Sequence, residues 1–169
     1  MKFFLVALFL TIPHAFSQHN HEHANHSAAK RKPVEAQEKK MILNILEKND
    51  LLFNAFLKKD GATIEKKANE LLAVVNGSKG SRVKDVKASA TKLGQIKSSN
   101  KNEANLQAYE SFLNPLIKAV QENDLGGNFN VFSCPMVKKS WIQDIKVNKE
   151  VKNVYAMEML ECGTQDTHF

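Results

Sequence analysis

Apolar residues recur every three or four positions along most of this chain, from Val34 to about Asp124. This spacing puts them on one face of successive α-helices, and each such face must be buried against another. Breaks at Asp60, at residues 76–80 and at residues 99–102 divide the pattern into four segments. Short loops of this kind typically join antiparallel neighbours, so we predict an all-α, up-and-down four-helix bundle.

The helical period fails after Gly127. Residues 129–136 alternate like a short extended piece, and the rest of the chain shows no helical stripe. With 169 residues, of which 43% are hydrophobic, the chain has the material for one domain. We therefore expect residues 34–169 to form that domain, with an irregular Cys/Met-containing segment from about residue 128 packed on the bundle.

The N-terminus has the three parts of a secretory signal peptide. Lys2 supplies the positive start, residues 3–12 are apolar, and Ala15-Phe16-Ser17 is a cleavage site of the small-x-small type. We predict that residues 1–17 are a signal peptide cut after Ser17. No Cys follows to carry a lipid anchor, and we expect no transmembrane segment in the mature chain, so the predicted location is periplasmic or secreted.

The net charge of +6 has to be interpreted in that compartment. An exported protein rarely meets nucleic acid, and the lysines are scattered as on solvated helix faces. We therefore expect no nucleic-acid partner.

A polar, His-rich arm is predicted for residues 18–33. It holds four of the six histidines of the chain, which are His19, His21, His23 and His26. Imidazole is the commonest nitrogen ligand of transition metals, and a short His-rich tract can bind Cu(II) or zinc. The alternative is a polar tail whose histidines merely happen to cluster.

The candidate chemistry of the ordered domain lies near the C-terminus. Both cysteines and three of the five methionines fall between residues 134 and 162. Thiolate and thioether sulfur are soft donors that select Cu(I), whereas zinc prefers four Cys or His ligands. The candidate Cu(I) ligands are Cys134, Met136, Met159 and Cys162.

Simpler interpretations compete with a metal site. Two cysteines in an oxidising compartment commonly pair, and a Cys134–Cys162 disulfide would close the loop 135–161 with a gain of roughly 3 to 4 kcal/mol. The methionines would then fill gaps beneath the tail, and Trp141 would be the large side chain that fills most of the space there. Free buried thiols are a third possibility. The alternative function is a disulfide-pinned helical interaction module that docks on an efflux or envelope partner and has no metal at the Cys pair.

Catalysis is not expected. A nucleophile needs a positioned base, and outside the arm and the predicted signal peptide the only histidine is His168, the penultimate residue. We predict that the protein is not an enzyme.

The tail resembles the C-terminal signature of an exported helical domain family of unknown function, which is roughly C-P-M, a later W, N-P-Y and M-L-x-C-G. The matching residues here are Cys134-Pro135-Met136, Trp141, Asn153-Val154-Tyr155 and Met159-Leu160-Glu161-Cys162-Gly163. Members occur as small periplasmic proteins and as extensions of the membrane-fusion subunits of heavy-metal efflux pumps. Val154 stands where the family usually has Pro, and Ala156-Met157 replaces an aromatic-Gly step.

The resemblance implies handling of copper or a related metal. It implies that Cys134, Met136, Met159 and Cys162 are functional and that Trp141 and Tyr155 are packing residues. The implied partner is a heavy-metal efflux adaptor subunit or another periplasmic metal protein. We accordingly predict a protein that binds or delivers Cu(I) in metal efflux or homeostasis.

Overall fold

Residues 31–169 are described by the structure, which is a computed structural model. The predicted signal peptide and the four histidines of the arm lie outside the described residues. The helices are α1 (Ala36–Lys58), α2 (Gly61–Gly77), α3 (Lys84–Ser89) and α4 (Asn102–Glu122), with a 3₁₀ helix at Ala90–Gln95. The strands are β1 (Phe129–Cys134), β2 (Lys139–Asp144) and β3 (Thr164–Gln165).

The four predicted helical segments are confirmed. Lys59 ends α1 in the left-handed conformation, with φ of 55°. The carboxylate of Asp60 then caps α2, accepting hydrogen bonds from the Thr63 amide at 3.2 Å and from its hydroxyl at 2.6 Å. The apolar stripes meet in one core, where the rings of Phe56 and Tyr109 lie 5.1 Å apart.

The third segment is only partly α-helical. After α3 the chain continues as the 3₁₀ helix, whose buried residues Ala90 and Leu93 are three positions apart. A 3₁₀ helix has three residues per turn, so this spacing keeps both side chains on one face. Ile96, which follows the helix as its extended C-cap, is buried as well.

The prediction of an all-α fold with an irregular tail is wrong. Residues 129–165 contribute a three-stranded antiparallel sheet with strand order β2-β1-β3. β1 and β2 form a hairpin in which Phe132 faces Trp141, with ring centroids 6.0 Å apart. β3 pairs with the other edge of β1, where Ser133 faces Thr164. The hairpin forms because two short runs with buried apolar residues flank a four-residue turn, so that Val131 and Phe132 of β1 pair with Ile142 and Trp141 of β2.

The sheet packs on the bundle. Strands β1 and β2 contact α4, and β2 also contacts α1. Val131 and Ile142 are paired across the hairpin and are each 1% exposed, so this pair belongs to the common core. The sheet and the helices therefore form one domain.

Both ends of the described chain meet beside the sheet. The Lys32 amide donates to the Glu122 carbonyl at 2.9 Å, and the Lys32 carbonyl accepts from the Asp124 amide at 2.8 Å. The Arg31 guanidinium lies 3.5 Å from the centroid of the Phe169 ring. Residues 31–33, the end of the predicted arm, are thus held against the domain.

For residues 31–169, none of the helices is both long and apolar enough to cross a membrane.

Candidate functional site

The two cysteines form a disulfide. Cys134 is the last residue of β1 and Cys162 lies two residues before β3, and their Cα atoms are 5.9 Å apart. The antiparallel pairing of Ser133 with Thr164 brings these two positions together. Of the interpretations derived from the sequence, the disulfide is the one that the structure contains, and residues 31–169 hold no free cysteine.

The tail fits closely over Trp141 at the residue after the bridge. A Cβ atom on Gly163 would lie 2.6 Å from Cη2 of Trp141 and 3.1 Å from the Ser133 carbonyl oxygen. Gly163 also has φ of +155°, which other residues rarely adopt. Trp141 itself is fully buried. Glycine is therefore required at this position for the tail to cross the indole ring.

Met136 and Met159 lie on the surface beside the bridge. Met136 is 70% exposed in the turn between β1 and β2, and Met159 is 42% exposed. The Met159 carbonyl accepts a hydrogen bond from the Cys162 amide at 2.8 Å, which makes a β-turn with the two Cα atoms less than about 7 Å apart. Met136 is two residues from Cys134 and so also within about 7 Å of it. Such exposure rules out gap filling beneath the tail for these two methionines.

Asn153 closes the loop that carries Cys162, a role that the sequence analysis missed. Its side chain donates from Nδ2 to the Cys162 carbonyl at 2.9 Å and accepts at Oδ1 from the Tyr155 amide at 2.9 Å. Its backbone amide donates to the Leu160 carbonyl at 2.7 Å. Asn153 is fully buried. A buried Asn within the conspicuous Asn-x-Tyr triplet was the signal that could have identified it.

Tyr155 packs against the core next to this loop. It is partly buried against the core, and its hydroxyl oxygen is buried with no hydrogen-bond partner. Burial, reinforced by the charge of Glu110, holds the pKa of Tyr155 well above its ordinary value. Glu110 itself pairs with Lys139 at 2.6 Å, which ties α4 to the start of β2.

The remaining candidate ligands are the four histidines of the predicted arm. His19, His21, His23 and His26 lie outside the described residues. Within residues 31–169, no group of three or more His, Cys, Asp or Glu side chains is arranged to hold a metal ion. The sulfur-bearing candidates at this site are therefore the Cys134–Cys162 disulfide and the two exposed methionines, Met136 and Met159.

No protein-family model matches this chain, and no curated protein or solved structure resembles it at a significant level.

Proposed function

We propose that this protein is an exported metal-binding protein that binds Cu(I) with Cys134 and Cys162 after their disulfide is reduced. Met136 and Met159 add thioether ligands. The observation that carries this proposal is the meeting of four sulfur-bearing residues from two separate segments. The cysteines are in bonding contact, and each has an exposed methionine within a turn of it. The tail signature described above supports a role in metal efflux or homeostasis.

The ligand chemistry favours Cu(I) over harder ions. Thiolate and thioether donors are soft, and Cu(I) accepts two, three or four of them. A sulfur in a disulfide is not a thiolate, so the oxidised bridge is the resting form and reduction supplies the ligands. An exposed methionine contributes little to folding, which leaves Met136 and Met159 available as ligands.

The His-rich arm adds a second, independent capture site in this proposal. His19, His21, His23 and His26 bind Cu(II) or zinc, which suit imidazole ligands. These histidines precede Arg31, near the end of the arm, which the domain holds through Phe169. A heavy-metal efflux adaptor subunit or another periplasmic metal protein is the proposed partner.

A Cu(I) competition titration of the full mature chain against a chromogenic chelator tests the proposal. The reduced protein is expected to withdraw one equivalent of Cu(I), and the oxidised protein none at the Cys pair. Replacing the four arm histidines with Asn in both samples removes their contribution while the chain length stays the same. Equal competition by the reduced and oxidised forms of that variant would contradict the proposal.

Two methionine variants separate the thioethers from the thiols. The double variant Met136→Leu with Met159→Leu keeps the size and apolar character of both side chains, and we expect it to bind Cu(I) at least ten-fold more weakly. Met41→Leu on α1 is the matched control, because Met41 lies outside the tail. Unchanged affinity in the double variant would remove the methionines from the ligand set.

The alternative is a disulfide-pinned interaction module. It is favoured by the bridge itself and by the buried position of Cys134, which is 1% exposed. In that case the reduced protein binds no Cu(I), freshly exported protein has no free thiols, and loss of the bridge loosens β3. The same titration, run beside a thiol count, distinguishes the two functions.

A further inference from the structure

The two cysteines of the bridge differ in their exposure to solvent. Cys134 ends the central strand of the sheet and is 1% exposed. Cys162 is only partly buried, and it follows the exposed residues Met159 and Glu161 in the turns before β3. The Cys162 end of the bridge is therefore the more accessible to an incoming molecule.

This difference decides how the disulfide can be opened. Exchange proceeds by attack of a thiolate on one sulfur of the bridge, and access determines which sulfur is attacked. We infer that Cys162 is the sulfur through which a dithiol reductant opens the bridge, with Cys134 as the leaving thiol. The inference rests on the proposed function, because it describes how the Cu(I) ligands of that site are released.

The reaction has two balanced steps. A thiolate of the reductant attacks Sγ of Cys162, the bond between the two cysteines breaks, and Cys134 leaves as a thiolate that takes up a proton. The second thiol of the reductant then attacks the mixed disulfide, forms a disulfide with its neighbour and releases Cys162 as a thiol. Two electrons pass from the reductant to the bridge, and Cys134 is never the attacked sulfur.

Neighbouring charge bears on the choice of probe. Glu158 and Glu161 are exposed on the turns next to Cys162, so they repel an anionic thiol. The thiolate of 2-mercaptoethanol carries no charge besides the attacking sulfur, so this reagent keeps the repulsion to a minimum. It has no second thiol with which to resolve the mixed disulfide, so at limiting concentration the adduct records the position that it attacked.

The first experiment maps that adduct on the oxidised wild-type chain. A brief exposure to limiting 2-mercaptoethanol is stopped with acid, the freed thiol is alkylated, and tryptic peptides are weighed. Lysines such as Lys138, Lys149 and Lys152 separate the two cysteines into different peptides. We expect the adduct on Cys162 and the alkyl group on Cys134. An adduct mainly on Cys134, or shared equally, would overturn the inference.

A second experiment compares the thiols one at a time. In Cys134→Ser the remaining Cys162 thiol is expected to react at least ten-fold faster with uncharged 4,4′-dithiodipyridine than the Cys134 thiol does in Cys162→Ser. The two rates should converge in urea, where burial is lost. Equal native rates would contradict the inference, and if Cys162→Ser does not fold, the wild-type mapping decides. Neither experiment contains metal, so either can fail while the Cu(I) titration succeeds, and the reverse.

Discussion

The carboxyl group of Asp50 makes the stability of this fold depend on pH in an unusual direction. Asp50 lies on α1 with 7% of its surface exposed, and one of its carboxylate oxygens, Oδ1, has no hydrogen-bond partner. Burial raises the pKa of Asp50 from 3.8 to about 6, and the charge of Asp144 on β2 adds to this. The nearby backbone of Asp144 and the 2.8 Å hydrogen bond from Asn54 offset the rise only in part.

The sign of the effect follows from this raised pKa. The folded state holds the Asp50 proton more tightly than the unfolded state, so the free energy of unfolding falls as the pH rises from about 4 to about 6. Above pH 6 the buried charge of Asp50 lowers the free energy of unfolding by at most roughly 3 kcal/mol, because each unit of the pKa shift corresponds to about 1.4 kcal/mol. Asp50→Asn removes this charge and keeps the size of the side chain. The variant should therefore be more stable than wild type at pH 7.5, by 1 to 3 kcal/mol in order of magnitude, and nearly equal at pH 4.

Urea unfolding followed by Trp141 fluorescence measures this difference, since Trp141 is the single tryptophan of the chain. The comparison is made from pH 4 to pH 7.5, and the difference between variant and wild type cancels the carboxyl groups that both share. Asp85→Asn, at an exposed position on α3, is the matched control for replacing an Asp by Asn outside the core. An Asp50→Asn protein that is no more stable than wild type at pH 7.5, or a difference independent of pH, would refute the reasoning.

Three further predictions concern the tail. Gly163→Ala should lower the free energy of unfolding by about 1 to 3 kcal/mol, because the added Cβ would meet Trp141. Gly77→Ala is the control, because a Cβ there meets nothing within 4 Å, and it should not lower the free energy of unfolding. Equal urea midpoints for the two variants would contradict this prediction. Asn153→Ala should cost about 1 to 3 kcal/mol, because the Cys162 carbonyl and the Tyr155 amide lose their buried partner, and a cost below about 0.5 kcal/mol in the same assay would exclude the closing role of Asn153. In the reduced protein, Cys134→Ser should abolish tight Cu(I) binding but keep Cu(II) binding by the arm, which a Cu(II) titration of the same sample checks.

The helices could be predicted from the sequence because their information is local. The apolar spacing of each helix, and the cap at Asp60, can be recognised from residues only three or four positions apart. The 3₁₀ helix was missed because the three-residue spacing of Ala90 and Leu93 also fits an α-helix. Helical periodicity alone does not distinguish the two.

The sheet was missed because its information is spread along the chain. Residues 129–136 were identified as extended, but their partners lie in β2 and β3, and β3 is only two residues long. Cross-strand pairs such as Phe132 with Trp141 become visible only once the register is known. The sequence therefore led to the prediction of an irregular tail.

At the candidate site, the sequence left three states open for Cys134 and Cys162, which are a disulfide, a metal site and free thiols. The structure contains the disulfide, with the two Cα atoms 5.9 Å apart. This separation depends on the pairing of β1 with β3, which the spacing of the cysteines in the sequence does not reveal. Asn153 was missed because its role depends on a hydrogen bond to Cys162, nine residues away.

The most direct test of the central claim is a Cu(I) competition titration of the reduced mature chain beside its Cys134→Ser variant. The proposal predicts one tightly bound Cu(I) in the wild type and none in the variant at the same chelator concentration. Equal binding by the two proteins, or no binding by either, would contradict a Cu(I) site at the Cys pair.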